Sequence, residues 1–168
     1  MLTSVAVSLV PLDRSHLART RAWANDTEVM RLMDRARVVS EEEHETWFVS
    51  LTECQDCRYF AIQAGGQHVG NVWLAAIDGR HRKAELRIVI GESGARGHGV
   101  GSRAIDLLCQ HAFTELDLHR VYAYVLAINP GGRRAFEKAG FRLEGTLKED
   151  RWSEGRFVDA YLLARVAL

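Results

Sequence analysis

The sequence predicts a single α/β (α+β) domain over 1–168, with a mixed, mostly antiparallel sheet of about seven strands flanked by helices. Three observations predict this fold class. Gly65-Gly66 and Asp78-Gly79 separate three consecutive strand-like runs, which indicates antiparallel pairing. A glycine-rich loop joins the third run to an amphipathic helix, and the chain closes with two long strand-like runs around Ser153-Glu154-Gly155. Neither a linker nor a repeat divides the chain, and its length suits one domain.

Composition excludes several classes of function. The formal net charge is zero, and without a basic stripe we expect neither a nucleic-acid partner nor an anionic membrane surface. No apolar run is long enough to span a bilayer, and the N-terminus lacks the basic and apolar regions of a signal peptide. We therefore expect a cytoplasmic protein, in which Cys54, Cys57 and Cys109 are free thiols. No second pair of ligands follows Cys54-x-x-Cys57, so no metal site is expected.

The first third of the chain predicts one strand and three helices. The predicted elements are a strand over 5–9 that ends at Pro11, and helices over 15–23, 27–33 and 40–51. Asp13 and Ser15 can cap the first helix, and Asn25-Asp26 separates it from the second. Ser40, followed three residues later by Glu43, is typical of the capping box that begins a helix.

The acidic run that follows Ser40 has two interpretations. Glu41, Glu42 and Glu43 lie in the first turn of the predicted helix, where carboxylates interact favourably with the helix dipole. Alternatively, the run from Glu41 to Glu45 forms an acidic wall that attracts a cationic amine. We favour the capping role.

The remaining elements follow from apolar patterning and turn residues. The predicted strands are 58–64, 67–76, 84–90, 120–126, 141–152 and 156–166, and the predicted helices are 100–116 and 130–139. Asn129-Pro130 places an N-cap residue before a proline in the first turn, which begins the last helix. Gly140 ends that helix in the position that favours a left-handed residue. With the first two short helices counted together, the predicted order is β, α, α, β, β, β, α, β, α, β, β, with no parallel crossover before the glycine loop.

The glycine loop predicts an anion site. Its glycines let the backbone lie against a ligand, and the first turn of the following helix offers unpaired N–H groups and the positive end of a dipole. An NTPase phosphate loop requires a lysine that is absent before Ser102. A dinucleotide fingerprint requires G-x-G-x-x-G, but the glycine at Gly101 comes one position early.

A third interpretation fits best. The segment from Arg96 to Gly101, RGHGVG, resembles the R/Q-x-x-G-x-G/A loop of the GNAT N-acetyltransferases. Asn129 and the run from Glu137 to Phe141 lie at the family's spacing, and the order of elements is similar over nearly the whole chain. Trp23-Ala24-Asn25-Asp26 and Glu144-Gly145-Thr146-Leu147 resemble the branch that contains ribosomal-protein N-terminal, spermidine and amino-sugar acetyltransferases. The resemblance implies transfer of an acetyl group from acetyl-CoA to a primary amine.

The resemblance also implies where acetyl-CoA binds. In the family, the strand before the loop and the strand after the helix splay apart and hold the pantetheine arm between them. The implied cofactor-binding residues are Ile88, Val89, Ile90, Arg96, Gly97, His98, Gly99, Val100, Gly101, Ser102, Asn129, Arg133 and Arg134. Asn129 can also be explained as a helix cap alone, and the two arginines as a solvated helix face.

Catalysis requires a base, because a protonated amine is not a nucleophile. Glu85 resembles the glutamate with which several GNAT enzymes deprotonate the amine through water. Its alternative role is a salt bridge to Arg87, Arg82 or Lys83. The tyrosine that protonates the leaving thiolate in many relatives is replaced by Phe136. Tyr122 and Tyr124 are nearby phenols, and we take Tyr124 as the candidate acid. The alternatives are that both fill the core or an interface, and that water donates the proton or no acid is needed.

The acceptor is the least constrained prediction. The segments 23–48 and 58–60 resemble amino-sugar acetyltransferases, whereas 81–85 and the last hairpin resemble spermidine acetyltransferases. We therefore rank an amino sugar or nucleotide-linked amino sugar first, a peptide N-terminus second and a polyamine third. Trp23, Trp47 and Phe48 either stack on the acceptor or belong to the core. A module that binds acyl-CoA without turnover is the alternative of another class. A free edge of the sheet could pair two protomers into a homodimer.

Overall fold

The computed structural model describes residues 6–168, and its seven strands form one sheet. The strands are β1 (Val7–Pro11), β2 (Arg58–Ala64), β3 (Gln67–Asp78), β4 (Lys83–Ile90), β5 (Arg120–Leu126), β6 (Arg142–Ser153) and β7 (Arg156–Val166). Their order in the sheet is β1-β2-β3-β4-β5-β7-β6. Only β4 and β5 are parallel. The predicted mixed, mostly antiparallel sheet is confirmed; Val5, which we placed in the first strand, lies outside the described residues.

Five α-helices flank the sheet. They are α1 (Leu17–Ala24), α2 (Thr27–Leu32), α3 (Glu41–Glu53), α4 (Val100–Thr114) and α5 (Pro130–Lys138). A 3-10 turn at Arg14–His16 precedes α1. The predicted capping box is present, because Ser40 Oγ accepts from the Glu43 N–H at 3.1 Å and Glu43 Oε2 accepts from the Ser40 N–H at 2.9 Å. Helix starts were predictable because capping side chains replace the hydrogen bonds that the first turn lacks.

Side chains alternate between the two faces of the sheet and so assign the helices to layers. On β3, Val72 and Leu74 are fully buried in the core that contains the apolar stripe of α4. Trp73 points to the opposite face, where it stacks on Tyr59 with ring centroids 5.1 Å apart. Tyr59 in turn contacts Trp47 of α3 edge-on at 5.7 Å. The two faces therefore have different covers, α4 and α5 on one side and α3 on the other.

The cysteines correct one expectation. Cys54 ends α3, and the turn after it brings the Cα atoms of Cys54 and Cys57 to 5.8 Å, where the pair is bonded as a disulfide. The expected free thiols at these two positions are therefore not found; this Cα separation is typical of disulfides. Cys109 is free and buried, and burial raises the pKa of its thiol to about 12.

Residues 6–168 contain no group of three or more His, Cys, Asp or Glu side chains that could hold a metal ion. Across the same residues, every helix is too short or too polar to span a bilayer.

Candidate functional site

The two parallel strands form a fork. Lys83, Ala84 and Glu85 of β4 pair with Arg120, Val121 and Tyr122 of β5, and the pairing ends there. Beyond the fork β4 stays paired with β3 as far as Ile90, and β5 stays paired with β7 as far as Leu126. The backbone edges of 86–90 and 123–126 therefore face an open gap, where an extended ligand can pair with a strand. The expected splaying is confirmed, and Ile88, Val89 and Ile90 lie on the open edge of β4.

The glycine loop leads from the open end of β4 into α4. Gly97 and Gly99 have φ values of +77° and +80°, in the left-handed region that other residues rarely adopt. Gly99 is the N-cap of α4 and supplies no capping side chain. Among the described residues, none of the six backbone N–H groups from Gly97 to Ser102 donates a hydrogen bond. Such N–H groups at a helix N-terminus favour a phosphate or another anion.

Arg96 stabilises the loop from inside. Its Nε donates to the Ile90 carbonyl at 2.9 Å and its Nη2 to the Gly91 carbonyl at 3.3 Å, while its own N–H donates to the Ser93 carbonyl at 3.2 Å. The structure therefore differs from the expectation that the Arg96 N–H faces a ligand. This arginine satisfies carbonyl groups at the end of β4 that no strand pairs.

The second half of α5 lies beside the start of α4, where Ala135 approaches Gly101, and Asn129 is the N-cap of α5. Asn129 Oδ1 accepts from the Gly132 N–H at 2.9 Å, so Asn129 is a helix cap; its Nδ2 donates no hydrogen bond within 6–168. Arg133 is bound to Glu137 at 2.9 Å and lies over the Tyr161 ring at 4.5 Å, which favours a structural role for it. Arg134 forms no salt bridge among the described residues.

Besides Arg134, α5 carries a second cation, Lys138, that the sequence analysis did not assign to the site. Lys138 is one helical turn after Arg134 and lines a groove with Ser102 and Arg103 of α4. Arg103 pairs with Asp106 at 2.9 Å, whereas Lys138 has no salt bridge within the described residues. The i, i+4 spacing of Arg134 and Lys138 was the available signal. It indicates a positive strip next to the unpaired loop N–H groups.

Glu85 lies at the fork, and its side chain is 13% exposed. Arg87 is two residues further along β4 on the same face, and its guanidinium holds both carboxylate oxygens, with Nε to Oε1 at 2.9 Å and Nη2 to Oε2 at 3.1 Å. The alternative that we weighed, a salt bridge to Arg87, is therefore present. Such a pair fixes the carboxylate and does not prevent it from accepting another hydrogen bond from water.

The phenols of β5 lie on the same face as Glu85. Tyr122 is its register partner, and burial together with the Glu85 charge raises the pKa of Tyr122. Tyr124 lies past the fork, is 43% exposed, and contacts the Tyr122 ring edge-on at 6.0 Å. Phe136 is 4% exposed and packs edge-on against Phe141 at 5.0 Å. Of these aromatic residues, Tyr124 is the one with a hydroxyl on the open part of β5.

Trp23 belongs to the core and not to a stacking surface. It is 7% exposed, and its indole Nε1 donates to Glu92 Oε1 at 3.3 Å. Its ring lies so close to Gly91 that a Cβ at that position would be 1.9 Å from it. Trp23 therefore connects α1 to the first residues of the glycine loop, a contact that required glycine at Gly91.

The last hairpin reaches across to α2. Arg151 Nε lies 3.3 Å from Asp34 Oδ2, and Arg31 Nε lies 3.9 Å from Glu154 at the hairpin turn. Arg31 also pairs with Glu28 at 2.8 Å. These ion pairs join the last hairpin to α2 and to the residues just after it with matched charges.

The acidic run of α3 is likewise neutralised. Three of its carboxylates pair with arginines: Glu41 with Arg21 at 3.7 Å, Glu43 with Arg37 at 2.8 Å, and Glu45 with Arg14 at 2.6 Å. The run therefore caps α3 and joins it to α1, to the 3-10 turn before α1 and to the loop before α3. It is not a free acidic wall.

Comparisons with known proteins give consistent results. A family model for the acetyltransferase (GNAT) domain matches residues 7–142. The chain is 30% identical to spermidine N(1)-acetyltransferase of Escherichia coli K12, over 95% of this chain and 86% of that enzyme. The structure of spermidine N-acetyltransferase from Vibrio cholerae in complex with CoA and spermine superposes with a TM-score of 0.89 at 27% identity, over 95% of both chains. A dodecameric structure of spermidine N-acetyltransferase from Vibrio cholerae gives 0.81 at 26% identity, over 95% of this chain and 93% of that one.

Proposed function

Because the chain belongs to the GNAT acetyltransferase family and is an acetyl-CoA-dependent N-acetyltransferase, we propose that its acceptor is a polyamine. The observation that carries the proposal is the 30% identity to a spermidine acetyltransferase over 95% of this chain. The relative that binds spermine with CoA supports it further. Our sequence-based preference for an amino sugar has no such support. The dodecameric relative supports the expectation that this chain also self-associates.

The fork is where the chemistry is proposed to take place. The open edge of β4 from Ile88 to Ile90 would pair with the pantetheine arm, and one N–H there would polarise the thioester carbonyl as it becomes an oxyanion. Glu85 would accept the ammonium proton through a water molecule. The amine nitrogen then attacks the carbonyl carbon, the C–S bond breaks, and the acetyl group remains on nitrogen. Holding both substrates at the fork supplies the proximity that the reaction needs.

The diphosphate of acetyl-CoA would bind at the glycine loop. The loop N–H groups from Gly97 to Ser102 are unpaired and lie at the start of α4, which favours an anion without a formal countercharge. Asn129 Nδ2 would reach the arm, and Arg134 with Lys138 would face the phosphates. Arg133 is already engaged by Glu137 and contributes least.

Tyr124 is the proposed proton donor to the departing thiolate. Its exposure on the open stretch of β5 supports this role, whereas Phe136 has no proton to give. A thiolate whose conjugate acid has a pKa of about 8.5 leaves readily, so this step needs less help than deprotonation of the amine.

A panel of amines tests the proposal. Thiol release from acetyl-CoA is measured with spermidine, spermine, a nucleotide-linked amino sugar and a short peptide. We expect the largest kcat/KM for the polyamines, by about tenfold or more, a margin typical of recognition by a dedicated site. Turnover with the amino sugar or the peptide alone would refute the polyamine assignment. A rise in melting temperature with acetyl-CoA, but no thiol release from any amine, would instead indicate a non-catalytic module.

A further inference from the structure

The carboxylate at the fork already has a cation. Arg87 binds both oxygens of Glu85 side-on, and this bidentate arrangement is the strongest that the two groups can form. The side chain of Glu85 is 13% exposed and that of Arg87 is 51% exposed. The carboxylate is therefore fixed within the sheet, while the guanidinium reaches it from the solvent side.

We propose that Arg87 determines acceptor specificity by occupying the place of the acceptor's ammonium group, so that an acceptor must exchange with it at Glu85. The inference depends on the proposed acetylation at Glu85. Glu85 can still accept a hydrogen bond from water, but a second cation near its oxygens is repelled by the first. The acceptor ammonium, also where water relays its proton, therefore competes with the Arg87 guanidinium for the charge of Glu85.

The surroundings of Arg87 allow it to leave. Among the described residues, Glu85 is its one salt-bridge partner, so no second carboxylate holds it near the fork. Its register neighbour on β3 is Trp73, and the nearby titratable groups are the phenols Tyr59 and Tyr122, which are neutral near pH 7. Because Arg87 is long and half-exposed, water can solvate its guanidinium after the exchange, and the incoming ammonium replaces its charge at Glu85.

The exchange defines a class of acceptor. An incoming amine must bring its own positive charge to replace the one that it removes from Glu85. Alkylamines are protonated near pH 7 and meet this condition, whereas aromatic amines are neutral and leave Arg87 in place. The same exchange resets the fork after turnover, because the acetylated product is a neutral amide that cannot compete with the guanidinium.

The test measures by calorimetry the Kd for spermidine of the CoA complexes of the wild type and of three variants. We expect the Kd of Arg87→Gln to fall by about fivefold, the size of one partly exposed charge interaction. Arg87→Lys keeps the charge but loses the bidentate contact, so its Kd for spermidine should lie between those of the wild type and of Arg87→Gln. Arg120→Gln is the matched control, because Arg120 of β5 holds both carboxylate oxygens of Glu144 at 2.7 and 2.6 Å. The Kd of this variant for spermidine should equal that of the wild type.

A double variant isolates the mechanism. In Glu85→Gln the carboxylate is absent, so adding Arg87→Gln should no longer improve the Kd for spermidine. If Arg87 only positions Glu85, then Arg87→Gln will leave the Kd unchanged or raise it in a folded protein, and the proposal is wrong. A gain in affinity without thiol release would reject the proposed acetylation and retain the exchange at Glu85.

Discussion

The proposed cofactor side and the proposed acceptor side of this molecule differ in what forms them. On the proposed cofactor side there are unpaired N–H groups, left-handed glycines and an open strand edge, and few side chains contribute. On the proposed acceptor side, carboxylates and arginines from α1, α2, α3 and the last hairpin form ion pairs with one another. The first site depends on backbone conformation and the second on the pairing of long side chains.

This difference explains why one half of the function is easier to infer than the other. A backbone site needs glycines at fixed spacing, and such spacing is visible in a sequence. A site of paired side chains depends on which arginine meets which carboxylate, and residues far apart in the chain make that choice. Arg151 and Asp34 meet although more than a hundred residues separate them.

The largest expected effect is on the chemistry at the fork. Glu85→Gln should lower kcat/KM by about 100- to 10,000-fold, the range for removal of a general base. Because the loop N–H groups do not involve Glu85, the Kd for acetyl-CoA should stay within about twofold of the wild-type value. Thiol release gives the first quantity and calorimetry the second.

The control is Glu144→Gln, which removes a carboxylate from another bidentate pair with arginine, outside the gap. It should keep nearly full activity. Equal losses in the two variants, or an active Glu85→Gln enzyme, would show that the charge at Glu85 is structural.

The second effect belongs to the cofactor side. Gly99→Ala has open space around the new Cβ, so its cost comes from a φ of +80° alone, about 1–2 kcal/mol for a left-handed alanine. Relaxation of that strain turns N–H groups away from the loop, and we expect the Kd for acetyl-CoA to rise by about tenfold. Calorimetry with acetyl-CoA measures this change.

Gly94→Ala is the matched control, because it lies in the same loop, also has open space around it, and has no positive φ. Its Kd should equal that of the wild type. If both variants bound acetyl-CoA normally, the loop conformation would not matter for binding.

Much of the fold could be predicted from the sequence. Strand β5 has the predicted bounds 120–126, and α3 begins at the predicted capping box. These elements rest on local rules: alternation for strands, caps for helices, and glycine where φ is positive. The fork could be inferred only by resemblance, since nothing in the residues of β4 or β5 says where their pairing ends.

Other features could not be predicted, for physical reasons. The contact of Trp23 with Gly91 joins residues far apart in the chain, and a tryptophan on a helix gives no sign of its partner. The pairing of Glu85 with Arg87 was one of three that the sequence allowed, and strand geometry selected the partner two residues away on the same face. The place of Lys138 beside Ser102 and Arg103 depends on how α5 packs against α4, which the residues of α5 alone do not show.

A third prediction concerns the junction between the two sides. Gly91→Ala places a Cβ 1.9 Å from the Trp23 ring, and overpacking of this kind costs about 1–3 kcal/mol in the free energy of unfolding. Gly79→Ala, where a Cβ meets nothing within 4 Å, should leave stability unchanged. Urea unfolding compares the two. Equal stability would mean that Trp23 moves aside freely and that the two sides are not coupled through it.

The smallest expected effect concerns His68, which packs against Trp23 and contacts Asn71. His68 packs edge-on against Trp23 at 4.7 Å, and its Nε2 lies 2.8 Å from Asn71 Oδ1. Burial lowers the pKa of His68 below its usual 6.5. The unfolded chain therefore binds this proton more tightly, so His68 contributes stability above pH 6.5 that is lost as the pH falls toward the folded pKa. His68→Gln should flatten that decline in urea unfolding between pH 7 and 5. The exposed His119→Gln should not, and equal slopes in all three proteins would exclude His68 as the cause.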